Sequence, residues 1–503
     1  MKKNDPAYDF LFQPSRQSPV ALLLILTQLI RRVIRQLWPI LLILLFNRQG
    51  NFFTRLGIFA AILTGFSAIT SIITYFRYYF YLTERELIIE KGVFRRVRVT
   101  VPLDRIQTVT FQQGPIQQFF NVVGVEIDTA GSKGSEFSIR ALQVDQAQAF
   151  RQYLIDQDIL SDAAEGNAAT VSDKGMTEEL LVHLSIADLF KVGVSQNHIR
   201  TAGIILALGF SVLDDLEQAL GQSFFEYVPG WLGIDSPSSF FAILTAVIGL
   251  LIIAFFGTLI LTAIRYFNLR FTKTHKGFKM VSGLITRKEQ AATLNKIQYL
   301  RWSTSPLKRA FGLFTLRLLQ IHSGGANEQR TLRIPGCKQL ALQAVRAAYF
   351  PEEEKMTWTS HSISPLYQRR RMLYFGILPV LLLLGLSALD GQLEWQQAGL
   401  ITWLPIAYFW NRQAFRNWKI EISPAGIRTG SGVLIRQFEL LQWYKIQGVE
   451  ISQSIYQRRK KVADLLLLTA AGRIRLPYLP LPLAHSLRNF ILFSVESSDR
   501  EWL

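Results

Sequence analysis

ELIIEKGVFRRVRVTVPLDRIQTV, residues 86–109, begins ten residues after the apolar run LGIFAAILTGFSAITSIITYF (56–76) ends. Its own pattern is different. Phe94, Val97, Val99 and Val101 are separated mainly by Arg96, Arg98 and Thr100, the period of two of a strand with one buried and one solvated face. Gly92 stands between two such runs, where a hairpin turn calls for positive φ. A β-domain therefore starts almost directly behind an apolar, helix-length segment.

The stretch recurs. With Gly92, Gly283 and Gly432 in register, TERELIIEKGVF (83–94), THKGFKMVSGLI (274–285) and SPAGIRTGSGVL (423–434) align, and Thr83, Thr274 or Ser423 lies nine residues upstream of each glycine. Fourteen residues downstream comes an Ile-Gln pair: Ile106-Gln107, Ile297-Gln298 and Ile446-Gln447. Pro115 and Pro306 follow eight residues past the glutamine, with Phe120 and Phe311 five further on, whereas the third copy carries Ile455 and Lys460 there. Turns near 130–134, 323–327 and 470–473 precede another strand. Each copy closes on an amphipathic helical stretch, VDQAQAFRQYL, KQLALQAVRAAYF and LAHSLRNFIL. Three equal spacings mark an internal repeat of several strands ending in one helix. A small antiparallel sheet closed on itself and plugged by that helix accounts for the pattern and hides its edges; an open sheet packed on one helix is the alternative.

The 503 residues are 49% apolar with a net charge of +18, a composition that points to membrane before nucleic acid, because the basic residues are dispersed among apolar segments. The one cysteine, Cys337, excludes an intrachain disulfide and a zinc-finger type cluster. The first apolar run, VALLLILTQLI, ends at Arg31, Arg32 and Arg35 without a small-residue cleavage site, so the N-terminus is expected to be retained. Leu56–Phe76 and Phe240–Ile264 have the length and composition of membrane spans. Val33–Phe46, Thr201–Leu213, Met372–Leu389 and Gly399–Trp410 are shorter or interrupted, but each neighbours another apolar run, so the six read as three hairpins. The breaks at 214–235 and around Asp390 and Glu394 lack Lys and Arg, while the opposite flanks carry Arg31, Arg77, Lys191, Arg200, Arg265, Arg369, Arg370, Arg371, Arg412 and Arg416. The positive-inside rule then places both termini and all large polar segments in the cytoplasm.

The pattern of an aromatic and Arg, then T-x-E-x-L-x-I-x-x-G, then the Ile-Gln strand, then Pro and Phe, resembles the bacterial pleckstrin-homology-like domains attached to membrane helix pairs. Residues 77–130 meet it best, 265–324 in part and 415–472 loosely. SRQSPVALL and LSIADLFKVG are similar to that family's lead-ins to its helices. The resemblance implies an α+β integral membrane protein whose three modules each consist of a transmembrane hairpin followed by a PH-like antiparallel barrel with a C-terminal helix. It implies a seven-stranded barrel at the cytoplasmic face, no established enzymatic activity, and, for some members, a link to tolerance of membrane-active antimicrobials.

Domain bounds follow from the repeat. Residues 1–76 hold the N-terminal region and first hairpin, 77–160 the first PH-like domain, 161–200 a linker and pre-membrane helix, and 201–264 the second hairpin. Residues 265–351 hold the second PH-like domain, 352–371 a linker, 372–411 the third hairpin and 412–495 the third PH-like domain.

No catalytic constellation is legible. The six histidines show neither HExxH nor close metal-ligand spacing, and no Walker loop, strand-borne GxGxxG or GxSxG occurs. No enzyme, cofactor or metal is expected. The candidate binding groups are basic: Lys91, Arg95, Arg96 and Arg98 on the first hairpin, Lys308 and Arg309 after Pro306, and Arg458, Arg459, Lys460 and Lys461 in the third copy. Near an anionic membrane each such charge is worth about 1 kcal/mol. The arginine cluster does not recur, whereas Gly92, Gly283, Gly432 and the Ile-Gln pairs do, so the latter are structural anchors. The sequence reads as an inner-membrane scaffold for protein partners or self-association; lipid contact in envelope maintenance, and transport, are the alternatives.

Overall fold

The computed structural model describes residues 9–31, 52–83, 85–92, 95–103, 106–129, 137–150, 153, 179–220, 240–320, 331–390 and 394–497. By internal packing the chain forms two compact units: residues 1–176, 184–270 and 280–290, and residues 177–183, 271–279 and 291–503. The division runs through the second repeat.

The first repeat contributes β1 (Tyr79–Leu82), β2 (Glu86–Lys91), β3 (Val97–Pro102), β4 (Ile106–Gln113), β5 (Val122–Thr129) and β6 (Phe137–Gln143). Strands β1, β2 and β3 form one antiparallel sheet. Strands β4, β5 and β6 belong to another. Leu87, Ile89 and Val101 of the first sheet and Val125, Ile127 and Ile139 of the second share one core, which residues 144–150 close in helical conformation with Ala147 and Phe150. The alternation read from FRRVRVTV holds only in the second half of β3, where Val99 is half-buried and Val101 buried between exposed Arg98 and Thr100; Val97 is exposed.

The second repeat contributes β7 (Glu179–His183), β8 (Arg270–Thr274), β9 (Gly277–Ser282), β10 (Arg287–Thr293), β11 (Ile297–Thr304), β12 (Phe314–Gln320) and β13 (Thr331–Cys337). The third contributes β14 (Thr359–His361), β15 (Lys419–Ile422), β16 (Gly426–Ser431), β17 (Arg436–Gln442), β18 (Ile446–Ser452), β19 (Val462–Thr469) and β20 (Gly472–Pro480). In the first unit β4 is flanked by β5 and β10. In the second, one sheet runs β13-β12-β11-β17-β16-β15-β14, and β18-β19-β20 form another. Helix Leu481–Glu496 packs Ala484, Leu487 and Ile491 into the core of the third repeat, against Leu465, Leu467 and Ile474.

These ladders correct the expectation of a sheet closed on itself. β3 and β4 follow each other in sequence but lie in different sheets, and the outer edge of β4 is taken by β10, that of β11 by β17. Among the described residues, the edges of β4 and β11 are satisfied by the neighbouring repeat instead of by closure. The segments read as linkers also hold strands: β7 lies within 161–200, and β14, within 352–371, pairs with β15. In the first repeat Ser15 bridges Phe80 at the corresponding place. The second and third repeats thus send a short strand, and the first a single bridging residue, ahead of their helices.

The helices are longer than the apolar runs suggest. His198–Leu220 continues through Asp214 and Asp215, which the sequence reading placed in a break, and Glu394–Arg416 runs through Pro405. Leu366–Met372 leads through a π turn, Leu373–Ile377, into Leu378–Asp390. Val33–Phe46 and most of 214–235 lie outside the described residues. Phe240–Tyr266 packs on His198–Leu220, with the His198 and Phe255 rings 5.0 Å apart. The Trp403 indole donates to the Phe375 carbonyl at 3.0 Å, tying the third pair. Among the described residues one helix segment, Leu244–Tyr266, is long and apolar enough to cross a membrane. Large apolar side chains also stand exposed on the others, including Ile62, Phe66 and Ile69, Leu206 and Leu208, Leu381 and Leu382, and Ile406 and Phe409.

Candidate functional site

The repeat anchors explain themselves in the backbone. Gly92, Gly283 and Gly432 have φ of 128°, 114° and 94°. A Cβ on them would meet a backbone carbonyl oxygen three residues on (Arg95, Thr286, Ile435) at 1.9, 2.1 and 2.0 Å. Only glycine fits the turn. Ile106, Ile297 and Ile446 are core residues. Directly after each, the ladder slips: between Ile106 and Thr108, Ile297 and Tyr299, and Ile446 and Gly448. The glutamine is the extra residue of a β-bulge, which bends and twists the strand. Its side-chain setting is not shared, since Gln298 is buried and Gln447 exposed, so the bulge and not amide chemistry is what repeats. Pro115 and Pro306 open short helices Pro115–Phe119 and Pro306–Ala310. The third copy keeps that helix, Ile455–Arg459, without proline, because Ser454 and Gln457 form a reciprocal capping box.

The anchors set up two strand-to-strand joints. In the first, Arg287, Lys288, Glu289 and Gln290 of β10 lie opposite Gln113, Gln112, Phe111 and Thr110 of β4. In the second, β17 lies along β11 from Arg436 opposite Thr304 to Leu441 opposite Tyr299. There the Trp302 and Phe438 rings stack at 5.6 Å, and the Arg301 guanidinium holds the buried Glu439 carboxylate at 2.7 Å. Thr429 and Gln437 also donate to Glu439. Lys445, 1% exposed, donates to the Asn295 carbonyl; burial lowers its amine to about 8.

Beside each joint lies an apolar rim. The N–H groups of Gly283 and Leu284 donate to the Phe267 and Ile264 carbonyls at the end of helix Phe240–Tyr266, so this hairpin tip caps the apolar helix. Leu284 and Ile285 on the tip are half exposed. Gln118 of the short helix Pro115–Phe119 donates to the Ile285 carbonyl, and the neighbouring Phe119 is 83% exposed. In the second unit Asn417 donates to the Gly432 carbonyl, with Leu434 and Ile435 exposed on that tip, Leu307 exposed on the short helix Pro306–Ala310 and Phe311 exposed just after it. Lys91, Arg95, Arg96 and Arg98 are all exposed, as are Arg458, Arg459, Lys460 and Lys461 with Ile455 beside them. Lys308 departs from expectation. It is buried, donates to Thr315 Oγ1 at 2.7 Å, and has its amine lowered to about 8 by burial and by Arg333 and Arg317. Arg309 remains exposed.

Comparison with known proteins bears on the same repeats. The bacterial PH domain model matches residues 22–158, 237–351 and 374–493, about three quarters of the chain. The chain belongs to the bacterial PH domain family. Each match takes in apolar helix as well as β-structure, so the PH-like unit includes its helix. A UPF0699 transmembrane protein of Bacillus subtilis, YdbT, is 21% identical over 472 residues, 90% of this chain and 91% of that protein. A second, YdbS, is 38% identical over 68 residues, 14% of this chain and 41% of that protein.

Within these PH-like modules the sequence reading missed one recurrent side chain. Arg96, Arg287 and Arg436 each stand four residues past the repeat glycine. The latter two occupy the first pair of their joints. The spacing was visible, but it hid among the neighbouring arginines of the first copy. Among the described residues no group of His, Cys, Asp or Glu is placed to hold a metal. The buried Cys337 thiol is pushed up to about 12 by desolvation, which leaves it a poor nucleophile.

Proposed function

We propose that this protein is a multi-pass scaffold of the bacterial cytoplasmic membrane, with both termini and three PH-like modules on the cytoplasmic side and sheet edges as its interaction surfaces. The observation that carries the reading is the joint: twice in one chain, recognition is performed by adding strand to strand, a mode that gives affinity through the main chain and selectivity through alternate side chains. The exposed apolar helix faces and the transmembrane relative of nearly equal length support the membrane placement. A transport role has less support. Among the described helix residues, the buried hydroxyls of Ser71 and Thr258 donate to their own helix, to the Ser67 and Ala254 carbonyls at 2.6 Å. The test is purification of the full chain from native membranes in mild detergent. The scaffold reading expects an assembly of defined stoichiometry containing more than one polypeptide, and recovery of single chains alone would contradict it.

The rim favours a second, compatible role in contacting anionic lipid. Apolar tips next to a helix end, flanked by exposed cations, suit the headgroup layer. Replacing Arg458, Arg459, Lys460 and Lys461 by Glu is expected to reduce several-fold the phosphatidylglycerol retained by the purified full chain, read by native mass spectrometry. Equal retention would remove the lipid role from that cluster.

A further inference from the structure

The two joints are the same contact made twice. In each, the seventh residue past the repeat isoleucine faces the fourth residue past the next repeat's glycine: Gln113 faces Arg287, and Thr304 faces Arg436. Each joint needs an isoleucine-type strand, β4 or β11, and a glycine-type strand, β10 or β17. The same register in two places with different side chains shows that the backbone, shaped by the bulge and the glycine turn, defines the contact.

Each terminal repeat carries one half of this joint without the other. Among the described residues β3, the glycine-type strand of the first repeat, is bonded in its sheet to β2, and β18, the isoleucine-type strand of the third, to β19. Val97, Arg98 and Thr100 of β3 and Gln447, Glu450 and Ser452 of β18 are exposed. The halves are of opposite kind. We infer that β18 of one copy pairs antiparallel with β3 of a second copy, joining chains head to tail through the contact that already joins successive repeats. This rests on the scaffold reading and names its partner as a second copy of the chain.

The repeat register predicts the pairs. Gln453 faces Arg96, Ser452 faces Val97, Ile451 faces Arg98, Glu450 faces Val99 and Val449 faces Thr100. Open edges of this kind are templates for further pairing. One feature differs from the internal joints. By analogy with Gln118 against the tip at Ile285, the helix Ile455–Arg459 would lie beside the first hairpin tip. That brings Arg458, Arg459, Lys460 and Lys461 toward Arg95 and Arg96, and like charges oppose the contact until anions neutralise them. Pairing between copies is therefore conditional on an anionic membrane surface, unlike the internal joints.

The test uses full-length chains in two populations with different tags, one carrying Val97→Cys and the other Ser452→Cys, reconstituted together and mildly oxidised. Both positions are exposed, and the native cysteine is buried, so folding and background are little affected. The inference expects a mixed-tag disulfide in phosphatidylglycerol vesicles and several-fold less in phosphatidylcholine vesicles. It expects little from Val97→Cys with Gln447→Cys, five residues, about 17 Å, out of register. No mixed product, or equal yield from the two pairings, overturns the inference; lipid-independent yield overturns its electrostatic condition. If mixed chains fail to crosslink while the purified chain still holds another polypeptide, the scaffold reading stands and this inference does not.

Discussion

At the scale of single residues, the repeat anchors are backbone devices. Gly283 holds φ of 114° with a carbonyl 2.1 Å from where a Cβ would sit, whereas Gly249, in a helix, has nothing within 4 Å. Gly283→Ala is expected to destabilise the chain by about 1–3 kcal/mol, and Gly249→Ala to be neutral or stabilising. Thermal unfolding of the detergent-solubilised chain checks both, and equal effects would contradict the turn assignment. Buried amines supply a second prediction. Lys308 and Lys445 titrate near 8 when folded and at the ordinary 10.5 when unfolded. Between those values the unfolded state binds more protons, so their contribution to stability rises with pH from about 8 to 10.5, by up to about 3 kcal/mol for each amine. Lys445→Met should remove one share of that alkaline gain; an unchanged gain would show that the amine is not buried in its charged form. The glycine's role was legible because few residues tolerate such a turn. The glutamine's was not, since a bulge has no residue signature of its own, and neither was the burial of Lys308, which in sequence looks like any surface cation next to Arg309.

Among elements, the closing helices were legible because their apolar faces repeat at helical spacing, and strands such as β8 and β15 because part of their length alternates in burial; others, such as β2 and β19, carry runs of buried residues. The joints were not legible. β11 and β17 are separated by more than a hundred residues, and a strand's outer edge is backbone, which looks alike in any sequence. The three-residue β14 is too short to show a period, so its segment reads as a linker. The second joint gives an energetic test through Arg301 and the 9%-exposed Glu439. Arg301→Ala leaves a buried carboxylate without its guanidinium and is expected to cost about 3–5 kcal/mol, whereas Arg301→Met combined with Glu439→Leu should recover most of the loss. Denaturant unfolding of the single and double variants decides it, and additive losses would mean the pair is not coupled across the joint.

For the whole molecule, each of the three family matches takes in apolar helix and β-structure together, so the two belong to one repeating unit. The end of helix Phe240–Tyr266 is fastened to the hairpin tip at Gly283 and Leu284 by two backbone hydrogen bonds. The repeat was legible from spacing, and the family from the resemblance of its motifs to bacterial PH-like domains. The partner was not, because the surfaces that would recognise it are strand edges and rims, where composition says little. The central claim, modules on the cytoplasmic face of a multi-pass chain, is tested most directly by labelling single cysteines in intact and permeabilised cells with an impermeant maleimide. The account predicts that cysteine substituted for Phe225 or Gln392 reacts in intact cells, and that cysteine substituted for Arg98 or Arg458 reacts only after permeabilisation. Labelling of Arg98→Cys or Arg458→Cys from outside, with Phe225→Cys and Gln392→Cys protected, would contradict it.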